Sequence, residues 1–141
     1  MESFARDFVR DAIGLHKKSH ALIFALSGNL GSGKTAFVRG AAESLKAKGA
    51  VTSPTFIIVR RLSLKEADEY NNLFHVDLYR IKTVEELKQL ELEDAMRNHR
   101  NIIFIEWPEK AEYIIPPGSF LLSFEYGEGE DDRTVAWSRK A

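Results

Sequence analysis

The chain has no cysteine, so it has no disulfide framework, no disulfide-linked partner and no thiol chemistry, a usage that suits the cytoplasm. No apolar run approaches the roughly 18 residues that span a bilayer as a helix, so no membrane partner is expected. The opening residues mix both charges where a secretory signal would carry an apolar core. Excess charge is lacking too. A formal net charge of −1 gives no reason to expect unaided nucleic-acid binding, although a local basic surface stays open. The four histidines show no metal-ligand spacing, which argues against a zinc site. There is no internal repeat and no linker long enough to divide the chain. What is present, 141 residues with 44% hydrophobic and 11% aromatic content, suffices for a sizeable core, and one domain over residues 1–141 is expected.

Periodicity supplies the elements. Phe4, Phe8, Ala12 and Leu15 share one side of a helix, with Ser3 as its expected N-cap. Ala21 to Ser27 is almost wholly apolar, as a strand buried on both faces should be. A glycine-rich turn follows, then a helix predicted from Lys34 to Lys48 and closed by Gly49. Strands are predicted over Phe56 to Leu62 and Leu73 to Tyr79. Thr83 and Glu86 have capping-box spacing for a helix running to about Arg97. Ile102 to Trp107 reads as another buried strand. Pro116, Pro117 and Gly118 break the chain before a strand from Phe120 to Tyr126, and a last strand lies around Thr134 to Trp137. The order predicts an α/β fold whose central mixed sheet has a parallel core, antiparallel edge strands and helices on both faces.

One motif is chemically specific. Gly28-Asn-Leu-Gly-Ser-Gly-Lys-Thr35 satisfies the phosphate-loop pattern G-x-x-x-x-G-K-[ST], between a buried strand and a helix. Its chance occurrence in a chain of this length is roughly 0.5%, so the match is treated as functional. Glycine lets the backbone wrap closely around oxygens, and the helix start adds N–H groups and its dipole. Asn29, Leu30, Gly31, Ser32 and Gly33 are therefore expected around the phosphates of a nucleotide such as ATP, although the loop alone does not choose between ATPase, GTPase and kinase. Lys34, exposed in the empty site, would reach the β- and γ-phosphates, and the Thr35 hydroxyl would enter a Mg²⁺ shell. The guanine-reading string N-K-x-D is absent, which disfavours GTP.

A triphosphate also needs its metal held and its attacking water oriented. Glu106 ends the apolar run Ile102-Ile-Phe-Ile105, where a core strand meets the ligand crevice. Alternation puts His75, Asp77 and Tyr79 on one face of a strand, opposite Phe74, Val76 and Leu78. That polar face either forms a hydrogen-bonded site, with Asp77 as metal organiser or general base, or belongs to a half-solvated antiparallel strand. Thr52-Ser-Pro-Thr-Phe56 follows the phosphate-loop helix, where Ser53 or Thr55 could sense the γ-phosphate or simply cap a proline turn. Trp107 could pack on nucleotide or partner, or fill the core edge.

Four strings together, Leu26 to Thr35, Val51 to Phe56, Phe74 to Arg80 and Phe104 to Lys110, resemble the TsaE family, also called YjeE. The resemblance implies a P-loop fold and a Mg²⁺-dependent cytoplasmic ATPase serving threonylcarbamoyladenosine modification of tRNA. It implies TsaB and TsaD as partners, with tRNA met only through that complex, and TsaD performing the transfer. By matching position, Lys34 and Thr35 resemble the phosphate and Mg²⁺ ligands, and Thr55 the switch threonine. Asp77 resembles the catalytic acidic residue and Glu106 the metal-site carboxylate, with Trp107 beside the nucleotide. Ala36 stands where many members have a second Thr or Ser, and Leu90-Glu-Leu92 where they often have a glycine. Arg133 matches a family arginine only loosely. A small-molecule kinase and a nucleotide-responsive binding module without useful hydrolysis remain alternatives; phosphate release without a phosphorylated acceptor excludes the first, and turnover excludes the second.

Overall fold

Leu22–Gly28 forms strand β1 at the centre of a six-stranded sheet, and its residues Leu22 to Leu26 are all buried. The computed structural model describes residues 1–49, 58–65, 69–129 and 132–141. Around β1 the chain lays down helix α1 (Glu2–Leu15), helix α2 (Lys34–Ser44), strands β2 (Val59–Ser63) and β3 (Asn72–Asp77), helices α3 (Val84–Gln89) and α4 (Leu92–Arg97), and strand β4 (Asn101–Glu106). A kinked 3₁₀ segment, Pro108–Ile114, leads on to strands β5 (Phe120–Tyr126) and β6 (Arg133–Arg139).

The spatial order is β2-β3-β4-β1-β5-β6. The four inner strands run parallel, while β2 and β6 pair antiparallel at the two edges. This is the predicted mixed sheet. Because side chains alternate across a strand, Leu22, Phe24 and Leu26 face α1 and α2, and Ile23 and Ala25 face α3, α4 and the 3₁₀ segment. Phe24 stacks on Phe104 at 4.8 Å and on Phe120 at 5.6 Å between ring centres. With Phe24 fully buried, Phe24→Ala should lower stability by about 3–5 kcal/mol, measured by urea unfolding.

Several element boundaries differ from the sequence expectation for local reasons. Helix α1 begins at Glu2 with Met1 as the capping residue and no side-chain cap, so Ser3 lies inside the first turn. Helix α2 stops at Ser44, well before Gly49, because Lys46 turns left-handed (φ 55°) and Lys48 pairs with Ser63 at the sheet edge. The predicted helix from Thr83 to Arg97 is two helices. Thr83 does cap the first, accepting from the Glu86 amide at 3.1 Å. Glu91 then adopts φ 56° and breaks the run. Glycine reaches a left-handed conformation without strain, whereas glutamate does not, so the break is set by the chain around it.

The half-solvated antiparallel alternative for residues 73–79 fails. Strand β3 is hydrogen-bonded on both sides, parallel to β4 and antiparallel to β2, and His75, Val76 and Leu78 are fully buried. Thr52 to Phe56, including Ser53 and Thr55, lies outside the described residues. Among the described residues, no helix is long and apolar enough to cross a membrane.

Candidate functional site

The C-terminal ends of β1, β4 and β3 lie side by side in the sheet, at the edge where parallel α/β sheets bind ligands. Strand β1 ends in Gly28 at φ 142°, and a Cβ there would stand 2.5 Å from the Phe124 carbonyl oxygen and 2.8 Å from Ser32 Oγ. Only glycine lets the loop leave the sheet this closely against β5. The loop closes on itself, the Ser32 amide donating to the Asn29 carbonyl at 3.1 Å. It is also tied to β5, since the Tyr126 hydroxyl donates to the Leu30 carbonyl at 2.7 Å. Gly33, at φ 111°, is the left-handed capping residue of α2, and helical geometry leaves the first amides of that helix without partners in their own helix. Asn29, Leu30 and Gly31 are exposed along the loop. Ser32 Oγ is buried and unpaired. A glycine cradle with a buried, unsatisfied hydroxyl fits a polyphosphate.

Lys34 is not exposed as expected; it is 4% accessible. Its ammonium donates to the Gly28 carbonyl and lies 4.0 Å from the centre of the Trp107 ring. Burial pushes its pKa below the ordinary lysine value, and the opposite charges of Glu106, Asp77 and Glu109 counter that shift. The lysine is thus folded inward onto the loop. Trp107 reaches it through a left-handed backbone (φ 59°) directly after β4, and its ring also meets Tyr79 at 5.0 Å. Such a conformation is uncommon for a bulky residue and often marks a working site.

Glu106 closes β4 and is buried. Thr35 Oγ1 donates to its carboxylate, 3.1 Å from Oε2 and 3.4 Å from Oε1. The register of β3 with β4 sets Asp77 beside Glu106, so two carboxylates stand at one level of the sheet. Asp77 Oδ1 accepts the Tyr79 amide at 2.9 Å. Burial raises the Asp77 pKa above the usual carboxylate value; the Tyr79 amide opposes this, Glu106 adds to it, and His75 and Lys34 oppose it. The structure therefore gathers Lys34, Thr35, Asp77, Glu106 and Trp107 around the loop. A hydroxyl and a carboxylate are hard oxygen donors of the kind Mg²⁺ takes, alongside phosphate and water.

The model of the family described as threonylcarbamoyl adenosine biosynthesis protein TsaE matches residues 2–135. The chain belongs to the TsaE family. A tRNA threonylcarbamoyladenosine biosynthesis protein TsaE from Haemophilus influenzae is 33% identical over 130 residues, covering 89% of this chain and 76% of that protein. One from Borreliella burgdorferi is 38% identical over 104 residues, covering 73% of this chain and 72% of that protein. The crystal structure of Bacillus subtilis YdiB superposes with a TM-score of 0.61 at 21% identity, over the whole chain and 82% of that structure, and shows the shared P-loop fold.

Two features of this TsaE site were not read from the sequence. The Tyr126 tie to the loop joins residues 96 positions apart, and no local pattern announces it. His75 was read only as part of a polar face; in the fold its Nε2 lies 2.6 Å from Glu106 Oε2. The i, i+2 spacing to Asp77 was the available signal, but it could not show that Glu106 would be the partner.

Proposed function

We propose that the chain is a Mg²⁺-dependent ATPase of the cytoplasm that serves threonylcarbamoyladenosine modification of tRNA together with TsaB and TsaD. The observation that carries this reading is the hydrogen bond between Thr35 and Glu106 at the mouth of the glycine loop. It joins the phosphate-loop hydroxyl to a strand-end carboxylate, the pair that a metal–triphosphate complex requires. Family membership supports the pathway.

The loop amides and Lys34 would hold the β- and γ-phosphates, with Lys34 leaving the Gly28 carbonyl to do so. Thr35 and Glu106 would hold Mg²⁺, which when bound neutralises charge on the phosphates and polarises them. Asp77, half-buried beside them, would orient the attacking water and take its proton. Trp107 would flank the nucleotide. Thr55 is proposed as the γ-phosphate sensor, by its position in the family pattern. Phosphate release from Mg²⁺-ATP, measured alone and with TsaB and TsaD, tests the proposal; release in neither condition overturns it.

Glu106→Gln separates metal from nucleotide. It should weaken Mg²⁺-dependent ATP binding about 10-fold or more while leaving Mg²⁺-free binding near wild type, both measured by calorimetry. An equal loss with and without the metal would assign Glu106 to packing or to direct nucleotide contact.

A further inference from the structure

His75 is a histidine with no accessible surface, set in the middle of β3 between β2 and β4. It faces the side of the sheet covered by α1 and α2, alongside Leu73 and Phe104. Apolar neighbours of this kind make a polar ring costly unless its nitrogens are used. Nε2 is used: it lies 2.6 Å from Glu106 Oε2. Nδ1 has no partner. A carboxylate oxygen accepts, so Nε2 carries the hydrogen and donates it. The ring is therefore committed to one contact, made to the carboxylate that also receives the Thr35 hydroxyl.

We propose that His75 is a positioning residue for the cation site, holding the Glu106 carboxylate in the orientation in which it would meet the metal. This rests on the proposed role of Glu106 and Thr35 and extends it to a residue outside the metal's own ligands. The two oxygens are already unequal. Oε2 takes His75 at 2.6 Å and Thr35 at 3.1 Å, whereas Oε1 has the longer Thr35 contact at 3.4 Å. A glutamate carboxylate turns on three side-chain bonds and has several orientations, and a donor rigidly fixed in a central strand selects one of them. Donors behind a ligand that fix its orientation typically account for about 10- to 100-fold in metal affinity.

The test compares the wild type with His75→Leu, which fills similar volume without a donor, and His75→Gln, whose amide can still donate. ATP affinity is measured by calorimetry with and without Mg²⁺, and Mn²⁺ binding to the ATP complex by electron paramagnetic resonance. The expected result is a loss of about 10-fold or more in the Mg²⁺-dependent gain and in Mn²⁺ affinity for His75→Leu. Mg²⁺-free ATP affinity should stay at the wild-type level, and His75→Gln should recover most of the loss. In a Glu106→Gln background, His75→Leu should add nothing further. Should the leucine variant not fold, His75→Met is read in the same way. A wild-type metal gain in the folded apolar variant overturns the proposal, as does an equal loss in His75→Gln or an undiminished effect in the Glu106→Gln background. Absence of any Mg²⁺-dependent gain in the wild type overturns the underlying metal reading instead.

Discussion

Lys34→Ala is expected to lose ATP affinity by on the order of 100-fold while the protein still folds, because in the proposed site its ammonium would meet the β- and γ-phosphates at once. The surroundings of Lys34 show why folding survives. Lys34 holds its charge in a buried place, donating to the Gly28 carbonyl and facing the Trp107 ring. Burial lowers its pKa, so the unfolded chain binds that proton more tightly than the folded one. The resulting penalty is fully present below the lowered folded value and is relieved as the pH rises from that value to the unfolded one. Alanine removes this penalty and gives up one carbonyl contact and the packing on Trp107, effects of opposite sign. Calorimetry with Mg²⁺-ATP and thermal unfolding of the free protein check both halves. Wild-type ATP affinity in a folded Lys34→Ala protein would reject the assignment of the loop.

The lysine also shows where sequence reasoning stops. The motif gave its identity and its neighbours, because a phosphate loop is local: eight consecutive residues between a strand and a helix. Exposure is not local. Lys34 is buried because Trp107, far along the chain, turns back through a left-handed residue onto it. The sheet was legible for a similar reason. Runs such as Ile102 to Ile105 are apolar on both faces and can only be central, and the parallel core followed from the helices between them. Helix ends were less legible. The stop of α2 depends on Lys48 pairing with Ser63, and the break at Glu91 on a backbone conformation the side chain does not favour. Glu106 and Asp77 were both singled out, but their shared level in the sheet, and the histidine behind Glu106, come from strand register that no single segment encodes.

That shared level is the basis for expecting Asp77→Asn to retain ATP and partner binding yet lose stimulated turnover by about 100-fold or more, within the range general-base removal gives. The substitution is nearly isosteric. An asparagine oxygen can still accept the Tyr79 amide, which now lies 2.9 Å from Asp77 Oδ1, so the end of β3 should hold its shape. In its proposed role, what is removed is an acceptor for the proton of the attacking water. Its cost should appear in the transition state and not in the bound ground state. Turnover by the isolated protein should be slow. Asp77 is half-buried, while Leu30 is 63% exposed and Tyr79 is 47% exposed at the rim, so the crevice is open to water that weakens electrostatic stabilisation. On the proposed function, docking on TsaB–TsaD would shield the region from water and align the attacking water at Asp77. Nucleotide affinity and phosphate release are measured for wild type and Asp77→Asn, each alone and with the partner proteins. Wild-type turnover of the variant within the complex would leave Asp77 no catalytic part. Equal wild-type turnover with and without partners would remove the gating step, whatever Asp77 does. A loss of ATP affinity matching the loss of turnover would move Asp77 from the water to the metal, making it an organiser of the cation beside Glu106.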